Sequence, residues 1–309
     1  MESLAFMALL PSLLAATWRM ATPLIYASVG ELFTERTGVL NIGLEGIMLI
    51  GSFTAFAAVL YTDNLLIGIG VTVLVGILVG LLFALFTVTI KANQIVVGVA
   101  FNLLGLGMTG FLFRTLFVGT ENAVRTIPVM NIPALANLPI VGEAFFRQNW
   151  MVYGTLLLIP VASFLLYKMA FGLSVRSVGE HPKAADTVGI SVPYIRYMGV
   201  IIGSTLTALA GAYLTIAHTN QFVEGITSGR GYIALAVVVF GRWAPKGVFW
   251  ASILFGFFFA LGLRLQGVAD IVIPYQFFQV LPYVATIVVL LTLRGKTNAP
   301  KALAVPYEP

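Results

Sequence analysis

Apolar positions along this chain neither alternate nor keep to one helical stripe; they fill whole blocks, separated by short clusters of charge, glycine and proline. The blocks Leu65 to Ile90, Gln94 to Phe113 and Tyr197 to Ala217 contain no charged residue. Each is about 20 residues or longer, enough to cross ~30 Å of hydrocarbon at ~1.5 Å per residue. Blocks so long and uniform predict an all-α polytopic membrane protein, not a soluble domain with one buried helix. Read against the polar breaks, the pattern gives about nine membrane segments (eight to ten), near 5–30, 39–60, 65–90, 94–117, 150–168, 197–218, 222–241, 247–264 and 274–293. The whole chain, 1–309, reads as a single transmembrane domain.

The second and seventh segments are interrupted. Between Arg230 and Arg242 only eleven residues, Gly231 to Gly241, are free of charge. Such a helix is about 16 Å long, about half a bilayer. It predicts either a half-helix or, in "QFVEGITSG" before it, broken backbone at membrane depth. "TGVLNIGLEGIMLIGSF", Thr37 to Phe53, sets Asn41 and Glu45 among glycines in the same way. "EGIMLIGSF" and "RGYIALAVV" both open on a charge and a glycine and lead into a short apolar helix. They lie five segments apart, and an odd offset reverses direction through the membrane, as an inverted repeat requires.

Lipid cannot hydrogen-bond freed backbone groups, so such breaks must be buried in protein or line an aqueous route. Asn41, Glu45, Met48 and Ser52 recur at helical spacing, which predicts one polar face turned from lipid. A half-helix start also offers backbone N–H groups to a ligand. Glu45 and Arg230, at matching places with opposite charge, are candidates to pair. The candidate pathway set is Asn41, Glu45, Ser52, Asn102, Arg230 and Tyr232. Helix capping and interhelical hydrogen bonding are the competing roles for Asn41, Glu45 and Asn102. His218 and Glu224 read as solvated helix-end residues.

Composition agrees with the block pattern: 59% of residues are hydrophobic and 9% charged, against about 25% charged in a soluble domain. The mean hydropathy is +0.99. The opening "MESLAFMALL" is acidic where a cleavable signal peptide would be basic, so the first helix is expected to be retained. With no cysteine, disulfides say nothing about compartment. Alternation places Arg36, Lys91, Lys168, Arg176, Lys183, Arg196, Arg242, Lys246, Arg294, Lys296 and Lys301 on one side, and Arg114, Arg125, Arg147 and Arg264 on the other. The positive-inside rule makes the first side cytoplasmic, with the carboxyl terminus inside and the amino terminus outside. That bias accounts for the net charge of +5 without a nucleic-acid partner.

Two connections differ from simple turns. Residues 119–149 carry Pro128, Pro133 and Pro139 and read as an external loop or short interfacial elements. Residues 171–197 form a cytoplasmic loop in which Pro182 suits a first helical turn, Gly189 an end and Pro193 a stop. The resulting helix of about seven residues, presenting Ala184, Ala185 and Val188, is too short to stand alone. It must pack on its own membrane domain or on another protein.

"FGLSVRSVGEHPKAADTVGI" resembles the coupling-loop signature of bacterial ABC import permeases for simple sugars and nucleosides. "ERTGVLNIGLEGIMLIGSF" and "GRGYIALAVVVFGRWAPKG" resemble two further signatures of the nucleoside branch, and the three occur in order. The resemblance implies a multi-pass subunit of the bacterial cell membrane that binds no cofactor itself. It would work with ATP-binding subunits carrying ATP and Mg, a second and paralogous permease, and an extracytoplasmic binding protein that delivers a small-molecule substrate. Gly179, Glu180, His181, Pro182, Lys183, Ala184, Ala185, Asp186, Gly189 and Ile190 would seat on the ATPase. The opening without an extended amino-terminal region and the "NIGLEG" wording depart from the ribose-type branch. No G-x-x-x-x-G-K-[ST] phosphate loop, H-E-x-x-H pair, Cys/His metal cluster or G-x-S-x-G elbow is present, so the chain is read as a transport subunit without an ATPase site. The resemblance thus favours nucleosides as cargo; a simple-sugar (ribose-type) ABC permease is the alternative, followed by an ion-coupled secondary transporter with Glu45 as its acid.

Overall fold

The computed structural model describes residues 2–117, 123–131, 141–266, 280, 284 and 298–308. Its helices are α1 (Glu2–Arg36), α2 (Leu44–Thr62), α3 (Leu65–Ala84, continued by a π-turn over Leu85–Thr89), α4 (Gln94–Leu116), α5 (Val141–Phe146) and α6 (Trp150–Lys168). They are followed by α7 (Ala170–Glu180), α8 (Pro182–Thr187), α9 (Val192–Tyr213, with a π-turn over Leu214–Thr219), α10 (Arg230–Phe240) and α11 (Pro245–Gln266). Strands β1 (Val129–Asn131) and β2 (Arg147–Asn149) pair antiparallel, Val129 opposite Asn149. The expected 119–149 loop thus contains a strand pair and α5, while 118–122 and 132–140 lie outside the described residues.

Asparagine sets several helix starts. Asn64 accepts from the Leu66 and Ile67 amides, Asn93 from Ile95 and Val96, and Asn149 from Val152. Each meets amide groups that have no partner inside the helix, which matters most near lipid.

Among the described residues, six helical stretches are long and apolar enough to cross a membrane: 44–62, 65–89, 94–116, 150–168, 192–219 and 245–265. α1, though 35 residues long, is not in that set; it carries Arg19, Glu31, Glu35 and Arg36. α10 has only eleven residues. The expected segment 274–293 lies, apart from 280 and 284, outside the described residues, as do Arg294 and Lys296.

α9 is the axis of the bundle, packing along α1, α2 and α3. Small residues bring the backbones together, as expected where lipid supplies no hydrophobic drive between helices. A Cβ on Gly80 would meet the Ile201 Cα at 3.0 Å, and one on Gly76 the Thr205 Cα at 2.9 Å. α3 and α4 are little covered, leaving Leu74, Leu78, Leu82, Val96, Leu103 and Phe111 exposed as an apolar surface suited to lipid or a second membrane chain.

Candidate functional site at the meeting of two interrupted helices

The first interruption, Thr37–Gly43, separates α1 from α2, and several of its freed amides are met by side chains. Leu40 N donates to Gln94 Oε1 (2.8 Å), Asn41 N to Glu31 Oε1 (2.9 Å) and Gly43 N to Asn41 Oδ1 (2.9 Å). Gly46 N, in the first turn of α2, donates to Asn102 Oδ1 at 2.8 Å. The Asn102 amide nitrogen donates in turn to the Ile42 carbonyl and to Tyr232 Oη, both at 3.0 Å. α4 comes this close because Gly105 faces Gly46; a Cβ there would lie 2.5 Å from the Gly46 Cα.

The second interruption separates α9 from α10 and uses the left-handed backbone of Asn220, Gly225, Ser228 and Gly229. Its cap comes from the other helix. Glu45 Oε1 accepts from Thr227 Oγ1 (2.5 Å) and Gly229 N (2.7 Å), while Oε2 accepts from Gly231 N (2.7 Å). A carboxylate against the amides of a helix start gains from charge-assisted bonding and from the positive end of the helix dipole. Gly231 permits the approach, since a Cβ there would stand 2.6 Å from the Glu45 Cα.

Glu45, Asn102 and Tyr232 therefore form one hydrogen-bonding junction between α2, α4 and α10. Glu45 is half-buried and Tyr232 is 50% exposed. The junction brings a phenol, an amide and a carboxyl group together, with Tyr232 its most exposed member. Among the described residues no group of three or more His, Cys, Asp or Glu converges on a possible metal position.

The other expected pathway residues stand apart. Asn41 precedes α2 instead of sharing its face, and it is fully buried as a cap of the interruption. Ser52 is also fully buried and donates to the Gly211 carbonyl at 2.8 Å, joining α2 to α9. The expected Glu45–Arg230 pairing takes a different form. Glu45 turns to backbone amides, while Arg230 Nη1 donates to the Ile226 and Thr227 carbonyls (3.2 and 3.1 Å) and the guanidinium lies over the Phe259 ring. Of the helix-start amides expected to await a ligand, Gly46 N is met by Asn102, and Gly229 N and Gly231 N by Glu45.

Several residues of the site escape sequence reasoning. Glu31 and Glu35 lie beyond the expected end of the first segment, yet both are buried. Glu31 holds the Asn41 amide; Glu35 accepts from the Trp243 indole, whose carbonyl receives Arg36 Nε at 2.9 Å. These bonds fasten the end of α1 to both the first interruption and the turn after α10. Glu224 is exposed, as expected, and is paired with Arg114 through two hydrogen bonds (2.7 and 2.5 Å). His218 is exposed, and its ring stacks on Tyr213.

Next to the first interruption, the 171–197 loop holds two helices where one was expected. Pro182 opens α8, and Gly189 follows it in left-handed conformation (φ +84°). The anticipated apolar face is divided. Ala185 is buried against the bundle and Ile190 packs beside it, while Ala184 is exposed and Val188 is 74% exposed. His181, Lys183 and Asp186 are exposed, Pro182 and Glu180 half-buried, and Gly179 buried. The carboxyl-terminal stretch also reaches this flank: Ala302 N donates to the Gly179 carbonyl (2.9 Å) and Ala304 N to that of Gly38 (3.1 Å).

Residues 13–290 match the family described as "Branched-chain amino acid transport system / permease component". The chain belongs to this family. It is 42% identical over 261 residues to the putative glucose ABC transporter permease protein TsgC13 of Haloferax volcanii, covering 83% of this chain and 78% of the relative. It is 39% identical to the nucleoside ABC transporter permease protein NupC of Lactococcus lactis subsp. cremoris, with 93% of each chain covered. It is 38% identical to the guanosine ABC transporter permease protein NupQ of Bacillus subtilis, with 97% of each covered. The same two bacteria each hold a more distant second relative, NupB at 22% and NupP at 27% identity, also named as permeases. No solved structure matches the chain.

Proposed function

We propose that the protein is the membrane-spanning permease of an ATP-driven ABC importer for nucleosides. The observation that carries this reading is the near-full-length likeness to NupC and NupQ. The junction supports it: Glu45, Asn102 and Tyr232 supply acceptors, donors and an aromatic ring suited to ribose hydroxyls and a base. In this reading α1, the six long spans, α10 and segment 274–293 make nine crossings, and the two interrupted regions are halves of an inverted repeat. The amino terminus lies outside, and the α7–α8 loop and the carboxyl terminus lie in the cytoplasm. Substrate arrives from an extracytoplasmic binding protein, and hydrolysis of ATP with Mg occurs in separate ATP-binding subunits. The pairs NupB with NupC and NupP with NupQ support a paralogous second permease as partner. A simple-sugar cargo is the second reading, favoured by the likeness to TsgC13.

The exposed surface of α8 and the residue after it is the proposed ATPase contact, so substitutions belong at Ala184 and Val188. Ala185→Asp would instead bury a charge in the bundle. In the reconstituted complex, Val188→Asp should lower ATP-dependent nucleoside uptake roughly tenfold or more, the effect of losing an interface hot spot. Protein insertion should be unchanged. Normal coupling in that variant removes the loop's role; uptake driven by a proton or sodium gradient without ATP overturns the importer; glucose outcompeting nucleosides selects the second reading.

A further inference from the structure

Arg196, the fifth residue of α9, is 1% exposed. Its Nη1 donates to the Val305 carbonyl at 3.0 Å, while Nε and Nη2 have no hydrogen-bond partner. The ion pairs among the described residues, Arg114–Glu224 and Arg125–Asp63, do not include it. A buried guanidinium with unmet donors and no ion pair is costly, and an anion is the natural remedy.

A cavity of about 440 Å³ adjoins it, bounded by Val88, Thr89, Lys91, Asp186, Pro193, Arg196 and Tyr307. Lys91 is exposed just past the π-turn of α3, and Tyr307 Oη is a second buried polar atom, faced by the Asp186 carboxyl. Thr89 is already engaged with Tyr197 Oη. Arg196 and Lys91 against Asp186 leave one net positive charge on the walls. Beside the mouth, α3 and its π-turn expose Leu78, Leu82, Leu85, Phe86 and Ile90. An apolar helix face leading to a basic pocket at headgroup depth is the arrangement that holds an anionic lipid.

We propose that this cavity binds the phosphodiester of an anionic membrane lipid, with the acyl chains along α3. Free phosphate shares the oxygen chemistry; what favours a lipid is the exposed apolar face of α3 beside the mouth, which acyl chains can cover and a free anion cannot. The carboxyl-terminal residues Val305 and Tyr307 help enclose the site, and Ala304 binds the Gly38 carbonyl at the first interruption. A bound lipid would therefore tie α8 and α9 to that interruption.

The test uses the full chain in nanodiscs of phosphatidylcholine alone or mixed with phosphatidylglycerol, counting retained lipids by native mass spectrometry and following thermal unfolding. Wild type should retain phosphatidylglycerol selectively. Lys91→Gln, at an exposed side chain, should fold normally and lose retention about fivefold, the usual worth of one basic residue at an anionic surface. Arg196→Gln should lose more where it folds. Millimolar inorganic phosphate added to phosphatidylcholine discs should not raise the unfolding temperature. Equal retention by wild type and Lys91→Gln, or no preference for phosphatidylglycerol, overturns the site; equal protection by phosphate alone overturns the lipid assignment.

Discussion

The two interruptions solve the same problem with different chemistry. At the first, the freed amides before α2 are met mainly by neutral groups, Asn41, Asn102 and Gln94, with buried Glu31 behind them. At the second, the start of α10 is met by one carboxylate that belongs to α2. The first is closed by buried side chains from α1, α4 and its own turn; the second is closed by a single α2 side chain at a half-exposed position. Any movement of α10 away from α2 must break three hydrogen bonds to Glu45 together, whereas α2 can move with α4 and keep its own cap. Separating α10 from α2 thus costs three hydrogen bonds to one carboxyl group at once.

The largest effect that separates the two should come from glycine. Gly231→Ala drives a Cβ against the Glu45 backbone, which cannot yield without shifting α2. Gly43→Ala meets Asn41 Oδ1 and the Phe101 Cβ at 3.0 Å and the Gly98 carbonyl oxygen at 3.2 Å, contacts relieved by shifts of only a few tenths of an ångström. Overpacking costs about 1–3 kcal/mol, and Gly231→Ala should sit at or above the top of that range, with uptake abolished. Thermal unfolding in detergent ranks the pair. A lower melting temperature for Gly43→Ala would reverse the argument.

The caps come next. Glu45→Gln replaces one acceptor oxygen by a donor, so one of the three groups now bound to Glu45 faces an N–H. Losing a charged hydrogen bond and stranding its partner costs about 1.5–3 kcal/mol. Asn102→Ala strands the neutral Gly46 amide and frees Tyr232, a cost of about 1–2 kcal/mol. Uptake and melting temperature measured on both variants should place Glu45→Gln below Asn102→Ala. If the asparagine variant is the worse, the carboxylate is not the principal closure.

Much of this architecture is legible before any coordinates. The segment 150–168 coincides with α6, and 94–117 with α4 to within one residue, because Asn93 and Asn149 are local start signals that no distant contact overrides. The apolar run predicts a first segment ending near 30, where charge resumes at Glu31; yet Glu31 and Glu35 are buried, and their partners, Asn41 and Trp243, lie 10 and 208 residues away. Arg196 misleads in the same way: a basic residue beside Pro193 reads as loop, yet it is buried inside α9 under the carboxyl-terminal stretch. Glu45 and Asn102 can be suspected from charge or amide in an apolar run. That Glu45 caps another helix while Asn41 merely closes its own turn depends on which glycines meet, and no spacing encodes it.

The smallest effect concerns the rim of the second interruption. Arg114 at the end of α4 holds Glu224 through two hydrogen bonds, at an exposed position where solvent and salt weaken such pairs. The Arg114 hydrogen bond lowers the pKa of Glu224 below its usual value. A depressed carboxylate contributes stability that is full above its unfolded pKa, about 4.3, and is lost as pH falls through the folded value. Arg114→Gln should therefore leave global melting almost unchanged at neutral pH while loosening residues 220–229, seen as faster amide hydrogen exchange there. Wild type should approach that exchange rate only below the ordinary carboxylate range, and the variant should lose this pH dependence. Because the first interruption has no ion pair among its named partners, its exchange should not respond to the same substitution. Equal loosening of residues 37–43 would mean that the two interruptions open as one unit and not separately.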